Sequence, residues 1–184
     1  ELIVRSLGDL LVVQALSRQT DFEGYEIVLM KRSIGDLSEN QSTYTWDLRG
    51  TAFEGLGCEA FPFKGKISSY YEGAGLNYIL GSPFFKYLST GAEIQGMRIA
   101  GNITGADDTP KGLLAGVLVR DGEDGPENVA MKDVILDQVV IVNQETVNCS
   151  VSNPQGAAGI VYGRVEAVSG KPITISFDSS ALKI

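Results

Sequence analysis

Two stretches of this chain follow one pattern, and a chain that repeats itself folds by stacking its repeats. Ile94, Met97 and Ile99 are apolar at a spacing of three and then two. Met131, Val134 and Leu136 carry the same opening, which Val139 continues. A small-residue stretch follows each, first Gly112-Leu113-Leu114-Ala115-Gly116 and then Gly156-Ala157-Ala158-Gly159-Ile160-Val161. Ala115-Gly116 and Ala158-Gly159 lie 43 residues apart. A self-similar period in this range marks units that bury their apolar face only against the next unit. From Ile94 onward no window has helical periodicity, and the 22 glycines among β-branched residues fit short strands joined by tight turns. The predicted class is mainly β: a parallel β-solenoid forming one domain over residues 1–184. About 1–45 make an N-terminal cap with a short helix, and about 46–184 make the stacked coils.

Read in order, the chain opens with a helix signal. Ser6 can cap, and Asp9 three residues on completes a capping-box pattern. A helix is predicted over about 7–17, with Leu7, Leu10, Leu11 and Ala15 on one face, covering one end of the core. Phe22 to Met30 reads as a turn and a buried strand, and Glu39 to Tyr44 as a polar loop. Trp46, Leu48 and Phe53 return the chain to the core. Phe61 to Ile67 and Gly75 to Leu80 read as further strands, and Phe84-Phe85-Lys86-Tyr87-Leu88 as an aromatic edge. Gly105 to Lys111, Arg120 to Asn128 and Gln144 to Pro154 read as polar loops. Ile173 to Phe177 alternates as a half-buried strand does.

Charge and composition remove several function classes. The net charge is −8, and no Lys/Arg cluster exceeds the pair Lys31-Arg32, so the basic footprint of a nucleic-acid partner is missing. The chain has no histidine, which removes the usual general base and the commonest metal ligand. Cys58 and Cys149 form no metal-binding pair and read as separate thiols rather than a disulfide. No stretch approaches the roughly 20 apolar residues of a membrane-spanning helix. Residue 1 is Glu, which reads as the start of a mature fragment or a piece of something longer.

Three groups of residues are candidate sites. Gly156 to Gly163 has the glycine density of a dinucleotide loop, but Asn153-Pro154 before it and Arg164 to Ser169 after it lack the strand and helix that such a loop needs. Close packing between coils is the favoured reading. Asp121, Glu123 and Asp124, spaced by Gly122 and followed by Gly125, are candidate Ca²⁺ ligands, as are Asp107-Asp108, although EF-hand spacing is absent. A solvated loop is the plainer reading, and no other cofactor is expected. Tyr70, Tyr71 and Trp46, with Tyr78 and Tyr87 nearby, are candidates for an aromatic ligand-binding face, against a default of core packing. Asn40-Gln41-Ser42, Asn102-Ile103-Thr104 and Asn148-Cys149-Ser150 match the glycosylation acceptor pattern.

The order of these pieces resembles a family. Asp9-Leu10-Leu11 is followed by Gly24 to Leu29, Ile34 to Ser38, Trp46, Phe63-Lys64-Gly65-Lys66-Ile67 and Gly73 to Ile79. Phe84 to Leu88, Gly91 to Met97 and Gly112 to Gly116 come next. This series resembles the N-terminal part of bacterial surface proteins with GLUG-type repeats, which also accompany IgA-cleaving metallopeptidases. The likeness covers about residues 6–165, and its specific part is the order of the motifs. Where the family has Trp-x-Pro-Ile-Gly, only Trp46 matches. The resemblance implies a right-handed parallel β-solenoid with an N-terminal helix and no catalytic residues in this region; no metallopeptidase zinc motif is present. The expected function is that of a non-catalytic extracellular module of a larger bacterial cell-surface protein, in adhesion or ligand binding or as a spacer. Its partners would be a host glycan or protein and adjacent domains of the parent chain, with no nucleic acid and no membrane insertion. The alternative is a β-helix polysaccharide lyase or glycoside hydrolase, which would require carboxylates converging in a groove.

Overall fold

The computed structural model describes residues 1–37, 42–136, 139–142, 145–175 and 182–184. In chain order the elements are β1 (Leu2–Val4), α1 (Leu7–Leu16), β2 (Glu26–Leu29), β3 (Thr45–Asp47), β4 (Lys66–Ser68), β5 (Tyr70–Tyr71), β6 (Ala74–Leu80) and β7 (Phe85–Ser89). They continue with β8 (Glu93–Gln95), β9 (Met97–Thr104), β10 (Ala115–Val119), β11 (Ala130–Lys132), β12 (Val134–Leu136), β13 (Val139–Val142), β14 (Glu145–Asn148), β15 (Ser150–Ser152), β16 (Tyr162–Glu166) and β17 (Leu182–Lys183). The chain is mainly β with one short α-helix, and its main sheets are parallel.

Three sheets carry the architecture. The first has the order β1-β2-β4-β8-β11, the second β3-β6-β9-β12-β17, and the third β7-β10-β16. Within each sheet the strand order follows the chain order, and from β2 to β16 the chain passes through the three sheets in turn. Bridges from Leu56 to Phe85 and from Phe63 to Leu88 extend the third sheet back to the first full tier. Two antiparallel excursions interrupt the rotation: β5 folds back on β6, and β13 pairs with β14.

Register explains the apolar spacing seen in the sequence. In the first sheet Ile27 pairs with Ile67, Ile67 with Ile94, and Ile94 with Met131. In the second, Trp46 pairs with Tyr78, Tyr78 with Ile99, and Ile99 with Leu136. The three-then-two spacing is therefore one inward residue of the first sheet followed by two of the second. Like residues stack on like, and burying each such side chain contributes roughly 1.5–3 kcal/mol. The small-residue stretches also stack, but in a different register from the one their Ala-Gly pairs suggest. Lys111 bridges to Ala158, and Ala115 pairs with Tyr162, an offset of 47 residues. Gly-Leu-Leu-Ala-Gly thus lies on Gly159-Ile160-Val161-Tyr162-Gly163, so that Gly116 lies over Gly163. A Cβ at Gly163 would sit 2.5 Å from the Lys111 nitrogen and 2.8 Å from the Gly116 oxygen, so only glycine fits.

The interior is aromatic at one end and aliphatic at the other. Trp46 stacks on Tyr78, and Phe84 meets Tyr78, Phe53 and Phe85 with centroids 5.1–5.5 Å apart. Phe63 and Phe22 continue the chain of rings. Later tiers are filled by Ile99, Ile103, Leu113, Leu114, Leu118 and Leu136, all buried.

A helix forms where the sequence predicts one, with a shifted face. The Ser6 hydroxyl accepts the Asp9 amide at 3.1 Å, and the Asp9 carboxylate accepts the Ser6 amide at 3.0 Å, which closes the capping box. Leu10, Val13 and Gln14 are buried, whereas Ala15 is exposed. Polar bonds to the first tier set this orientation. Gln14 donates to the Ala52 carbonyl at 3.2 Å and accepts from the Glu54 amide at 2.6 Å. The Ser17 hydroxyl accepts the Gly57 amide at 2.9 Å.

Two sequence expectations change. Residues 145–152, read as part of a loop, form β14 and β15, and β15 pairs with the far end of β9. Residues 173–175, read as the start of a strand, are irregular; they are held by the Thr174 amide donating to the Glu127 carbonyl at 2.7 Å, while Ser176 and Phe177 lie outside the described residues. Cys58 and Cys149 are free, half-buried thiols.

Ile99→Ala empties an inward position shared by three stacked strands and is expected to destabilise the protein by about 2–5 kcal/mol, read from chemical denaturation. Gln14→Ala leaves the Ala52 carbonyl and Glu54 amide without their partner and is expected to cost about 1–3 kcal/mol in the same assay.

Candidate functional site

The aromatic residues singled out in the sequence do not form one face. Trp46 is fully buried (0% exposed), and its indole N–H donates to the Met30 carbonyl at 3.1 Å. It belongs to the core and takes no part in a surface site, because its place beneath β6 sets its ring against Tyr78. Tyr78 is also buried, and its hydroxyl is hydrogen-bonded to that of Ser69 at 2.6 Å. Tyr87 is half-buried on β7.

Tyr70 and Tyr71 are both half-buried and are bound to different parts of the surface. The Tyr70 hydroxyl donates to the Asp133 carboxylate at 2.6 Å, reaching across two tiers. Its ring lies over Gly96, where a Cβ would come within 2.8 Å of the ring carbons. Gly96 (φ +71°) and Asp133 (φ +52°) are left-handed residues between the first and second sheets, each linking successive strands in its own tier. Tyr70 therefore clamps a column of corners. Burial first, and then the Asp133 carboxylate, push its phenol up to about 12. Tyr71 packs on Tyr44 at 5.5 Å, and the Lys31 ammonium sits 4.6 Å above its ring. Beside it lies an open cavity of about 360 Å³, lined by Arg5, Lys31, Arg32, Ser33, Thr43 and Tyr71 among others.

The acidic loop does not gather its acids. Asp121 is ion-paired to Lys64 at 2.8 Å, and its amide donates to the Thr90 hydroxyl at 2.7 Å. Asp124 is almost wholly exposed, 3.8 Å from Lys171, and Glu123 is exposed. Arg120 organises the loop instead. It is 5% exposed, and it donates to the carbonyls of Pro172 at 2.8 Å, Gly125 at 2.9 Å and Gly122 at 3.4 Å. A guanidinium thus holds carbonyls that a calcium loop would turn on its ion. Asp121, Glu123 and Asp124 therefore do not come together as ligands: Asp121 and Asp124 face different lysines and Glu123 is exposed, and among the described residues no group of three His, Cys, Asp or Glu could hold a metal. Asp107 accepts the Thr109 amide at 3.0 Å and pairs with Lys111. Of the acceptor-pattern residues, Asn102 and Ser150 are bonded to each other at 2.7 Å, while Asn40 and Gln41 lie outside the described residues.

A second charged place was missed by the sequence reading. On the outer side of the first sheet, Glu26, Lys66 and Glu93 are register neighbours on β2, β4 and β8. They border an open groove of about 490 Å³, with Glu23 and Lys64 at its side. Lys66 pairs with Glu26 at 3.2 Å, and Lys64 bridges Glu23 at 3.0 Å and Asp121. The Ser68 hydroxyl, donating to Glu26 at 2.6 Å, and then Lys66 hold that carboxyl below its usual range. The hydrogen bond to Asp121 leads the effects that raise the Lys64 ammonium. Both shifts move these groups away from neutrality, opposite to what a general acid or base requires. The signal was present in the sequence: Glu26-Ile27, Lys66-Ile67 and Glu93-Ile94 each set a charge before a buried isoleucine.

No protein-family model matches the chain, and comparison with curated proteins and with solved structures finds no match in either. Among the described residues no helix is long and apolar enough to cross a membrane.

The Tyr70–Asp133 clamp gives an alkaline signature. Its folded pKa lies above the unfolded value, so its stabilisation is full below about pH 10 and fades as pH rises towards 12. The stability gap between the wild type and Tyr70→Phe is expected to hold up to about pH 10 and then narrow, as read from urea denaturation across pH.

Proposed function

We propose that the chain is a right-handed parallel β-solenoid serving as a non-catalytic, extracellular module of a larger bacterial cell-surface protein, in ligand binding or adhesion or as a spacer. The solenoid reading is supported by the rotation of the chain through three parallel sheets in unchanging order. The handedness follows from the strong right-handed preference of crossovers between parallel strands. The order of motifs that resembles GLUG-repeat surface proteins supports the cellular setting.

One observation carries the non-catalytic reading. The carboxylates that do converge, Glu23, Glu26 and Glu93 at the groove on the first sheet, share it with Lys64 and Lys66, which pair Glu23 and Glu26. A hydrolase needs one carboxyl kept protonated near neutrality, yet Glu26 is shifted the other way. A rail of alternating charge along stacked strands suits register and solubility. It contributes little to stability, since exposed pairs contribute about 0–1 kcal/mol each.

The same groove is where the enzyme alternative would act, so it is also where the test belongs. Incubation with a panel of acidic and neutral polysaccharides is expected to release no new reducing ends or unsaturated products. Turnover of any polymer that disappears in Glu26→Gln or Glu93→Gln would overturn the module reading.

A further inference from the structure

We propose that the cavity beside Tyr71 is a binding site for an acidic polysaccharide, with Lys31 and Arg5 receiving a carboxylate or sulfate group of one sugar unit. The inference deepens the ligand-binding reading above and rests on it.

The argument starts from charge. A chain of net charge −8 that collects Arg5, Lys31 and Arg32 around one cavity has opposed its own average at that place. Among the described residues neither Lys31 nor Arg5 is in an ion pair, whereas Lys64, Lys66, Lys111, Arg18, Arg49 and Arg164 all are. Asp9, whose charge acts on Arg5, is engaged by the helix cap, where it accepts the Arg5 and Ser6 backbone amides, and Glu72 acts on Lys31 from outside the cavity's lining. Cations of this kind, held around a concave surface, are what an anionic group of a ligand seeks.

The cavity also has the other parts of a sugar site. The hydroxyl-bearing residues Ser33 and Thr43 line it. Backbone bonds fix its wall: the Arg32 amide donates to the Thr43 carbonyl at 2.8 Å, and the Ser33 amide to the Arg5 carbonyl at 3.0 Å. The Tyr71 ring holds the Lys31 ammonium from below, and Tyr44, 43% exposed, extends the aromatic surface at its side. An exposed tyrosine offers the C–H face of a pyranose an apolar partner, which a purely electrostatic peptide site has no need of. The volume of about 360 Å³ lies at the small end of ligand pockets and suits a monosaccharide or disaccharide unit of a longer chain. Of the three aromatic residues expected to bind ligand, Tyr71 alone lies here. Trp46 stays in the core, where the Arg32 guanidinium lies 5.8 Å from its ring.

Isothermal titration calorimetry of the whole chain tests the site with four probes: oligogalacturonate, a heparin-derived oligosaccharide, a neutral cello-oligosaccharide and poly-glutamate. At least one of the two acidic glycans is expected to bind, which also tells carboxylate from sulfate, and the neutral chain is not. Affinity is expected to fall with added salt. The Arg5→Gln/Lys31→Gln double variant is expected to weaken binding by about tenfold or more, and Tyr71→Ala to weaken it as well, with melting temperatures recorded alongside. Lys132→Gln, an exposed cation on the first sheet, is the control for diffuse charge and is expected to leave affinity unchanged. The proposal is overturned if neither acidic glycan binds, if the double variant binds as the wild type does, or if Lys132→Gln weakens binding equally. Poly-glutamate binding as tightly as the glycan would replace it with an acidic-peptide site. Absence of binding without turnover leaves the spacer reading intact, whereas binding followed by cleavage would overturn the non-catalytic reading and keep this site.

Discussion

The structure depends on backbone hydrogen bonds between tiers. Its strands are mostly three to five residues long, and such strands have no stability alone. Backbone groups of the third sheet find partners on the next strand: the Phe84 amide bonds to the Leu113 carbonyl, and the Leu113 amide to the Ile160 carbonyl. Once the ladder is fixed, the inward positions are fixed with it, since side chains alternate along each strand. What lies between the rungs is nearly free. Successive partners are 27 residues apart from Ile67 to Ile94, 37 from Ile94 to Met131 and 47 from Ala115 to Tyr162, with the surplus carried in loops and in the β13–β14 hairpin. The tolerance stops at the corners, where Gly96 and Asp133 must turn the chain in a left-handed conformation.

That division decides what could be read from the sequence. The inward rungs were legible, because the spacing of Ile94, Met97 and Ile99 is imposed by the ladder and returns with it. The helix cap was legible because Ser6 and Asp9 act within one turn of chain. The offset of the small-residue stretches was misread because the repeated Ala-Gly pair is a coincidence of composition, while the structural equivalence joins Ala115 to the much larger Tyr162. The shifted helix face had no apolar signal at all, since Gln14 is buried for its hydrogen bonds to Ala52 and Glu54. The candidate site was half legible. Adjacent tyrosines on a strand point apart, so Tyr70 and Tyr71 could not share one role. Nothing local tells that Trp46 lies inside or that Arg5 and Lys31 meet.

The two charged regions differ in kind. On the first sheet Glu26, Lys66 and Glu93 alternate along neighbouring strands, and Lys64 and Lys66 pair Glu23, Asp121 and Glu26. Around Tyr71 the cations are drawn from β1's exit and from the segment after β2, and the lining they share holds no carboxylate. Arg120 shows a third use of charge: it is buried and spent on carbonyls, holding a loop in the way an ion would.

The direction of the ladder bonds has a mechanical consequence. In each of the three sheets the hydrogen bonds run from strand to strand, roughly across the strand direction. Tension applied across the strands of a sheet loads those bonds nearly end-on, so they open one strand at a time, as a zipper does. Tension applied along the strands would load every bond of a sheet in shear at once. A sheet of this build is compliant along its hydrogen bonds and stiff along its strands, and when pulled apart it lengthens in steps whose size is set by the chain stored between successive strands.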